Sequence, residues 1–228
     1  MLFSTTKQAA FVACFVVLGA CSNENQNETG QNEDIPAIVE HTASESRTSD
    51  YETRVLPEAS TCIQSGDLVT RRGSDLTSFL MANMNPTDRS FSHCGIASIE
   101  NDTILIYHAI GGEFNPDQKL KRETLYSFAH PVDNKALGIF KPNLDTASLK
   151  MVISYIKYQF IEGMPFDMEF DLNTDKRQYC SEFAAKSYGT VWDGLQWVSI
   201  TQQAGRRFIP VDALFLNKQM IERKRWSY

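Results

Sequence analysis

Two β-rich runs, Phe91 to Ile99 (FSHCGIASI) and Thr103 to Ile110 (TILIYHAI), are separated only by Glu100-Asn101-Asp102. So short a polar break between β-branched and aromatic runs predicts a β-hairpin, and with it an antiparallel sheet. The hairpin also places two histidines. With Asn101-Asp102 as a two-residue loop, Glu100 pairs with Thr103 and His93 lies opposite Ile110. His108 is then two residues along the same strand, so both imidazoles share one face as diagonal neighbours, roughly 7–8 Å apart at the backbone. A four-residue loop puts them directly opposite each other, and a three-residue loop puts them on opposite faces, so the juxtaposition rests on register.

Other elements follow from pattern. Ile63 to Thr70 reads as a turn at Ser65-Gly66 and then a short strand, and Ala136 to Phe140 as another strand closed by Pro142. Asp145 or Thr146 caps a helix whose apolar positions Leu149, Val152, Ile153, Ile156 and Phe160 keep helical spacing until Glu162-Gly163. A polar loop, FDMEFDLNTDKRQ, leads to a second helix beginning near Cys180, with Phe183, Ala184, Ser187 and Tyr188 on one side. The tail holds a helix started by Pro210. Strands first and helices after them predict an α+β fold, with helices packed on an antiparallel sheet.

The N-terminus carries an address rather than part of that fold. Lys7 precedes a twelve-residue apolar stretch, Ala9 to Ala20, which is of signal-peptide length and too short to span a bilayer. It runs into Leu18-Gly19-Ala20-Cys21, which resembles a bacterial lipobox. That implies cleavage before Cys21, lipidation of its thiol, and a membrane-anchored protein of the bacterial cell envelope facing the periplasm or exterior. Residues 22–53 hold eight acids and one base, with no apolar period. Such a segment buries too little surface to offset its ordering entropy and reads as a flexible tether, His41 included. Residues 54–228 carry twenty acids and twenty bases, so the overall charge of −6 belongs to the tether. A balanced domain without a basic stripe argues against nucleic acid as a partner. The expected organisation is a signal peptide over 1–20, a lipidated cysteine and linker over 21–53, and one domain over 54–228.

Once Cys21 is lipidated, Cys62, Cys94 and Cys180 remain, an odd number. Cys180 opens a predicted helix, where free N–H groups and the helix dipole stabilise a thiolate and can accept a developing oxyanion. Cys62 and Cys94 are expected to be buried or paired with each other. A thiol at a helix start together with two imidazoles on one hairpin face supplies a nucleophile, a general base and an orienter.

The residues resemble a known family. His93 in FSHCGI, with Gly66-Asp67-Leu68-Val69 upstream, is similar to the His strand of NlpC-type papain-like hydrolases. There the Cys helix precedes these strands; here Tyr179-Cys180-Ser181-Glu182-Phe183 follows them. The run GMPFDMEFDLNTDKRQYCSEFAAKSY resembles the permuted papain-fold amidases of the YaeF/YiiX group, and RFIPVDAL resembles their C-terminal segment. The resemblance covers residues 60–216 and implies a circularly permuted papain-like fold. It aligns Cys180 with the nucleophile, His93 with the base and His108 with the third polar position, where many such proteins carry glutamate. Tyr179, Asp67 and Glu182 sit in the family-like blocks as site-shaping candidates, Tyr179 also as an oxyanion donor. Turn or cap chemistry is the preferred reading for Asp67, Asp167 and Glu182.

The chemistry implied is acyl transfer through a thioester on Cys180, without cofactor or metal. The substrate would be a small amide or peptide-like molecule, with peptidoglycan stem peptides one source that an envelope address supplies. Three alternatives compete with an amidase: a lipid acyltransferase or thioesterase with the same triad, a non-catalytic envelope lipoprotein, and a metal site of His93, Cys94, His108 and Cys180. The metal site is disfavoured because adjacent strand residues 93 and 94 point to opposite faces.

Overall fold

The computed structural model describes residues 45–112, 115, 117–203 and 205–228. The signal peptide, Cys21, His41 and most of the tether lie outside these residues. The central feature is a six-stranded, wholly antiparallel sheet of β1 (Leu68–Gly73), β2 (His93–Glu100), β3 (Thr103–His108), β4 (Lys121–Thr124), β5 (Asn134–Pro142) and β8 (Met220–Ser227). Its strand order is β4-β3-β2-β1-β5-β8. The expected hairpin is there, in the two-residue register: Glu100 pairs with Thr103 and Ile96 with Tyr107. Asn101 and Asp102 turn it with φ of 48° and 60°, a left-handed pair that short polar side chains tolerate better than bulky ones.

Alternation along the strands divides the core in two. Leu68, Cys94, Ile96, Tyr107 and Phe140 face a cluster completed by helices α5 (Thr146–Ile161), α6 (Cys180–Gly189) and α7 (Val211–Phe215). Val69, Ala97, Ile106, Leu137 and Ile139 face the other way, against an N-terminal helical segment and the short helix α4 (Leu125–Phe128). Both faces are covered, so the central strands read as nearly continuous apolar runs. The expected caps also hold: Asp145 accepts the Ser148 N–H at 2.7 Å, and Pro210 precedes α7.

Several elements differ from the sequence reading. The tether expected to reach residue 53 is already helical at 45–50 (α1), continuing through a π-helical turn, Tyr51–Val55, into α2 (Leu56–Cys62). The cause is Tyr51, which is fully buried and donates its hydroxyl to the Leu125 carbonyl at 3.3 Å. Helix α3 (Leu76–Asn83), strand β4 and the small β6–β7 hairpin (Thr201–Gln203, Arg206–Phe208) are additions to the sequence reading. Strand β4 and the hairpin are short and mainly polar, while α3 does show helical spacing at Leu76, Phe79 and Leu80, all exposed, behind an Asp75 cap. The tail does not stop at a helix either. It adds β8 to the sheet beside β5, with a charged edge (Glu222 to Arg225) of the kind that discourages further pairing.

Asp67 serves this frame. Its carboxylate accepts the Gln64 N–H at 2.8 Å and the Arg223 Nε at 2.8 Å, tying the turn before β1 to β8. Burial raises its pKa, and Arg223 opposes that rise. Asp67→Ala is therefore expected to cost about 2–4 kcal/mol, since it strands a partly buried guanidinium. The midpoint of a urea titration should fall while kcat of the folded fraction stays near wild type. An unchanged midpoint with collapsed kcat would put Asp67 in the site instead.

Candidate active site

Cys180 is the first residue of α6, preceded by Tyr179 in extended conformation. The helix start is locked by side chains: Glu182 accepts the Tyr179 N–H at 3.3 Å and pairs with Lys186 at 2.8 Å. Burial pushes the Glu182 carboxyl up to about 7, with Lys186 opposing. Tyr179 Oη accepts the Ile209 N–H at 2.8 Å, which pins the residues before α7 over the helix start. Glu182 is thus a capping strut, and Tyr179 a wall of the cleft that opens on Cys180. That cleft is mainly apolar, lined by Met81, Met84, Phe170, Phe208, Pro210 and Val211.

The pairing of β2 with β3 runs only from Ile96–Tyr107 to the turn. Beyond it the strands part, and the Cys94 N–H on that side is free for the Cys180 sulfur. The Cys94 thiol also hydrogen-bonds the sulfur; together with N–H groups of Cys94 and Ser181 this draws the Cys180 pKa below that of an ordinary thiol, against the effect of burial. Cys94 itself is fully buried, and that burial pushes its thiol far up. All three domain cysteines are free. Cys62 packs on the opposite face of the sheet from Cys94, so the pairing considered from sequence does not occur.

The two histidines meet as the two-residue register requires. His93 Nε2 lies 2.8 Å from His108 Nδ1, with the rings edge to face. The Phe128 ring, 5.7 Å from His93 and 5.0 Å from His108, closes the pair from α4. The Arg71 guanidinium stacks on that ring at 5.0 Å, one strand over and in register with His93. Burial, then Arg71 and His108, hold the His93 pKa well down, so the imidazole is neutral. Burial likewise lowers His108, partly opposed by Glu123. Arg71 also senses a thiolate at Cys180, which favours that form. Among the described residues His93 makes one polar contact through its ring, by Nε2, and its Nδ1 makes none.

His93 and His108 therefore come into direct contact beside Phe128 on the α4 side of the sheet. Cys180 instead packs with Cys94 on the α6 side and, among the described residues, makes no hydrogen bond to either imidazole. Asp67 lies with Arg223 at the far end of the β1–β2 pair. Asp167 folds its own loop, accepting the N–H groups of Glu169 and Asp171. Glu123 and Arg71 are the two charged neighbours that sequence reasoning missed. Glu123 stands on a four-residue strand, and Arg71 is one of two adjacent arginines without a distinguishing pattern. No group of three or more His, Cys, Asp or Glu among the described residues is placed to hold a metal ion.

A helix-borne thiol following an antiparallel sheet that carries the histidines defines a class: a papain-like cysteine hydrolase with permuted chain order. The family comparison agrees, and the chain belongs to the permuted papain-like amidase enzymes of the YaeF/YiiX type, family C92, whose pattern matches residues 63–204. Among solved structures it resembles metalloprotein YiiX from Escherichia coli O157:H7, with a TM-score of 0.57 and 16% identity over 72% of this chain and 98% of that one. At that identity the likeness speaks for the fold. None of the curated proteins compared with it matches.

Proposed function

We propose that this enzyme is a cell-envelope lipoprotein, anchored through Cys21, that cleaves an amide bond by way of a thioester on Cys180. His93 Nδ1 takes the Cys180 proton, and the thiolate attacks the carbonyl carbon. The oxyanion is met by the Cys180 N–H, with the Tyr179 hydroxyl proton as the second donor. His93 returns the proton to the leaving amine, and water then hydrolyses the thioester. His108 orients His93. The observation that supports this reading is the 2.8 Å His93–His108 contact, which engages Nε2 and leaves Nδ1 without a hydrogen bond. No helix among the described residues is long and apolar enough to cross a membrane; the anchoring proposed here is argued from the lipobox.

The apolar cleft favours a second reading, in which the donor carries a fatty acyl chain and the enzyme is an acyltransferase or thioesterase. Either reading predicts a covalent intermediate. Incubating the purified protein with a cell-envelope extract, quenching in acid and weighing the Cys180 peptide should reveal an acyl adduct, whose mass separates a peptidyl from a fatty acyl donor. An adduct on Cys62 or Cys94, with Cys180 unmodified, would sink both.

A further inference from the structure

His108 is fully buried, and its Nε2 makes no hydrogen bond. A neutral imidazole has one donor and one acceptor nitrogen, and a buried donor left unpaired costs about 1–3 kcal/mol. Oε2 of Glu123 lies 3.2 Å from that nitrogen, displaced from the line of the ring N–H. Glu123 reaches the place from β4, where its backbone partner is Ile106, two residues from His108 on the same face. Its second oxygen is 3.3 Å from Lys121 Nζ. The contact with His108 holds the Glu123 carboxyl down to about 2, so it is ionised.

We propose that Glu123 is a positioning residue that fixes the tautomers of both histidines. The inference rests on the Cys180–His93–His108 reading above. An ionised carboxylate only accepts, so His108 Nε2 must carry the proton. His108 Nδ1 is then a lone pair, and the 2.8 Å contact can only be His93 Nε2–H donating to it. Neutral His93 consequently has its lone pair on Nδ1, the position that must receive the thiol proton. When it does, the charge arising on His93 is balanced through His108 by Glu123, and a small rotation of the carboxylate brings it into line with Nε2–H. Such alignment commonly tightens only in the working complex. Glu123 touches no reacting atom and acts wholly through His108.

Alkylation of Cys180 by iodoacetamide at neutral pH, followed by mass spectrometry, tests this without a known substrate. Glu123→Ala should slow alkylation roughly 10–100-fold, the range typical of removing an orienting partner. Glu123→Gln should be milder, since its amide oxygen still accepts the Nε2–H. The double variant with His108→Ala should be no slower than His108→Ala alone, as expected for residues acting through one another. In the wild-type protein, nitrogen-15 spectra should show both histidines protonated on Nε2; this measurement stands even if Glu123→Ala does not fold. His108 protonated on Nδ1, or a double variant whose loss is the product of the single losses, would overturn the proposal while leaving Cys180 as nucleophile. A wild-type Cys180 no more reactive than Cys62 would overturn the parent reading as well.

Discussion

Cys180→Ser should lower kcat/KM by on the order of 10⁴-fold or more on whichever amide or thioester substrate is found, and His93→Ala should do comparable damage. The thiol is the group that the fold activates: it receives hydrogen bonds from Cys94 and the Ser181 N–H, and its pKa is lowered despite burial. A serine hydroxyl in the same place stays protonated at neutral pH and is a far poorer nucleophile. In the mechanism proposed above His93 is the base: burial and Arg71 keep it neutral, and its Nδ1 makes no hydrogen bond. Full activity in Cys180→Ser would mean that the chain is not a cysteine hydrolase. If His108→Ala were dead while His93→Ala remained active, base and orienter would be exchanged.

The second large effect concerns His108. Its loss to alanine should cost roughly 10–100-fold, because an orienter sets ring position without touching the reacting bond. The sequence resemblance suggests that His108→Glu keeps activity, since a carboxylate is common at the equivalent place. The structure reverses that expectation. Glu123 Oε2 already stands 3.2 Å from His108 Nε2, and a second carboxylate introduced at a fully buried position would face it at close range. Two such carboxylates cannot both ionise without a large penalty. His108→Glu should therefore be at least as impaired as His108→Ala, and adding Glu123→Gln should recover activity. Equal kcat/KM for the single and double variants would show that the two positions do not interact.

The parts legible in the sequence share one property: their information is local. The Asn101-Asp102 turn fixed the hairpin register, and through it the meeting of His93 and His108. The spacing of Leu149 to Phe160 marked α5, and Cys180 at a polar-to-helical boundary marked α6. What escaped was set by long-range burial. Tyr51 looks like one more residue of an acidic tether, but is buried against residues more than seventy positions away. Half of the eight residues of β8 are charged, because only Met220 and Trp226 are buried. Glu123 is one carboxylate among many until β4 is laid beside β3.

The permuted order has a consequence for when the thiol becomes reactive. The hydrogen-bonding groups outside α6 that lower its pKa belong to Cys94, 180 − 94 = 86 positions earlier in the chain, and Arg71, which also favours the thiolate, lies earlier still. A chain whose α6 has not docked on the sheet therefore carries an ordinary thiol, mostly protonated at neutral pH. Phe183, Ala184 and Tyr188 are buried in the same core cluster against which Cys180 packs, so the docked α6 both completes the core and sets the thiol against Cys94. An incomplete chain should therefore lack the lowered thiol pKa, a dependence that follows from the permuted chain order.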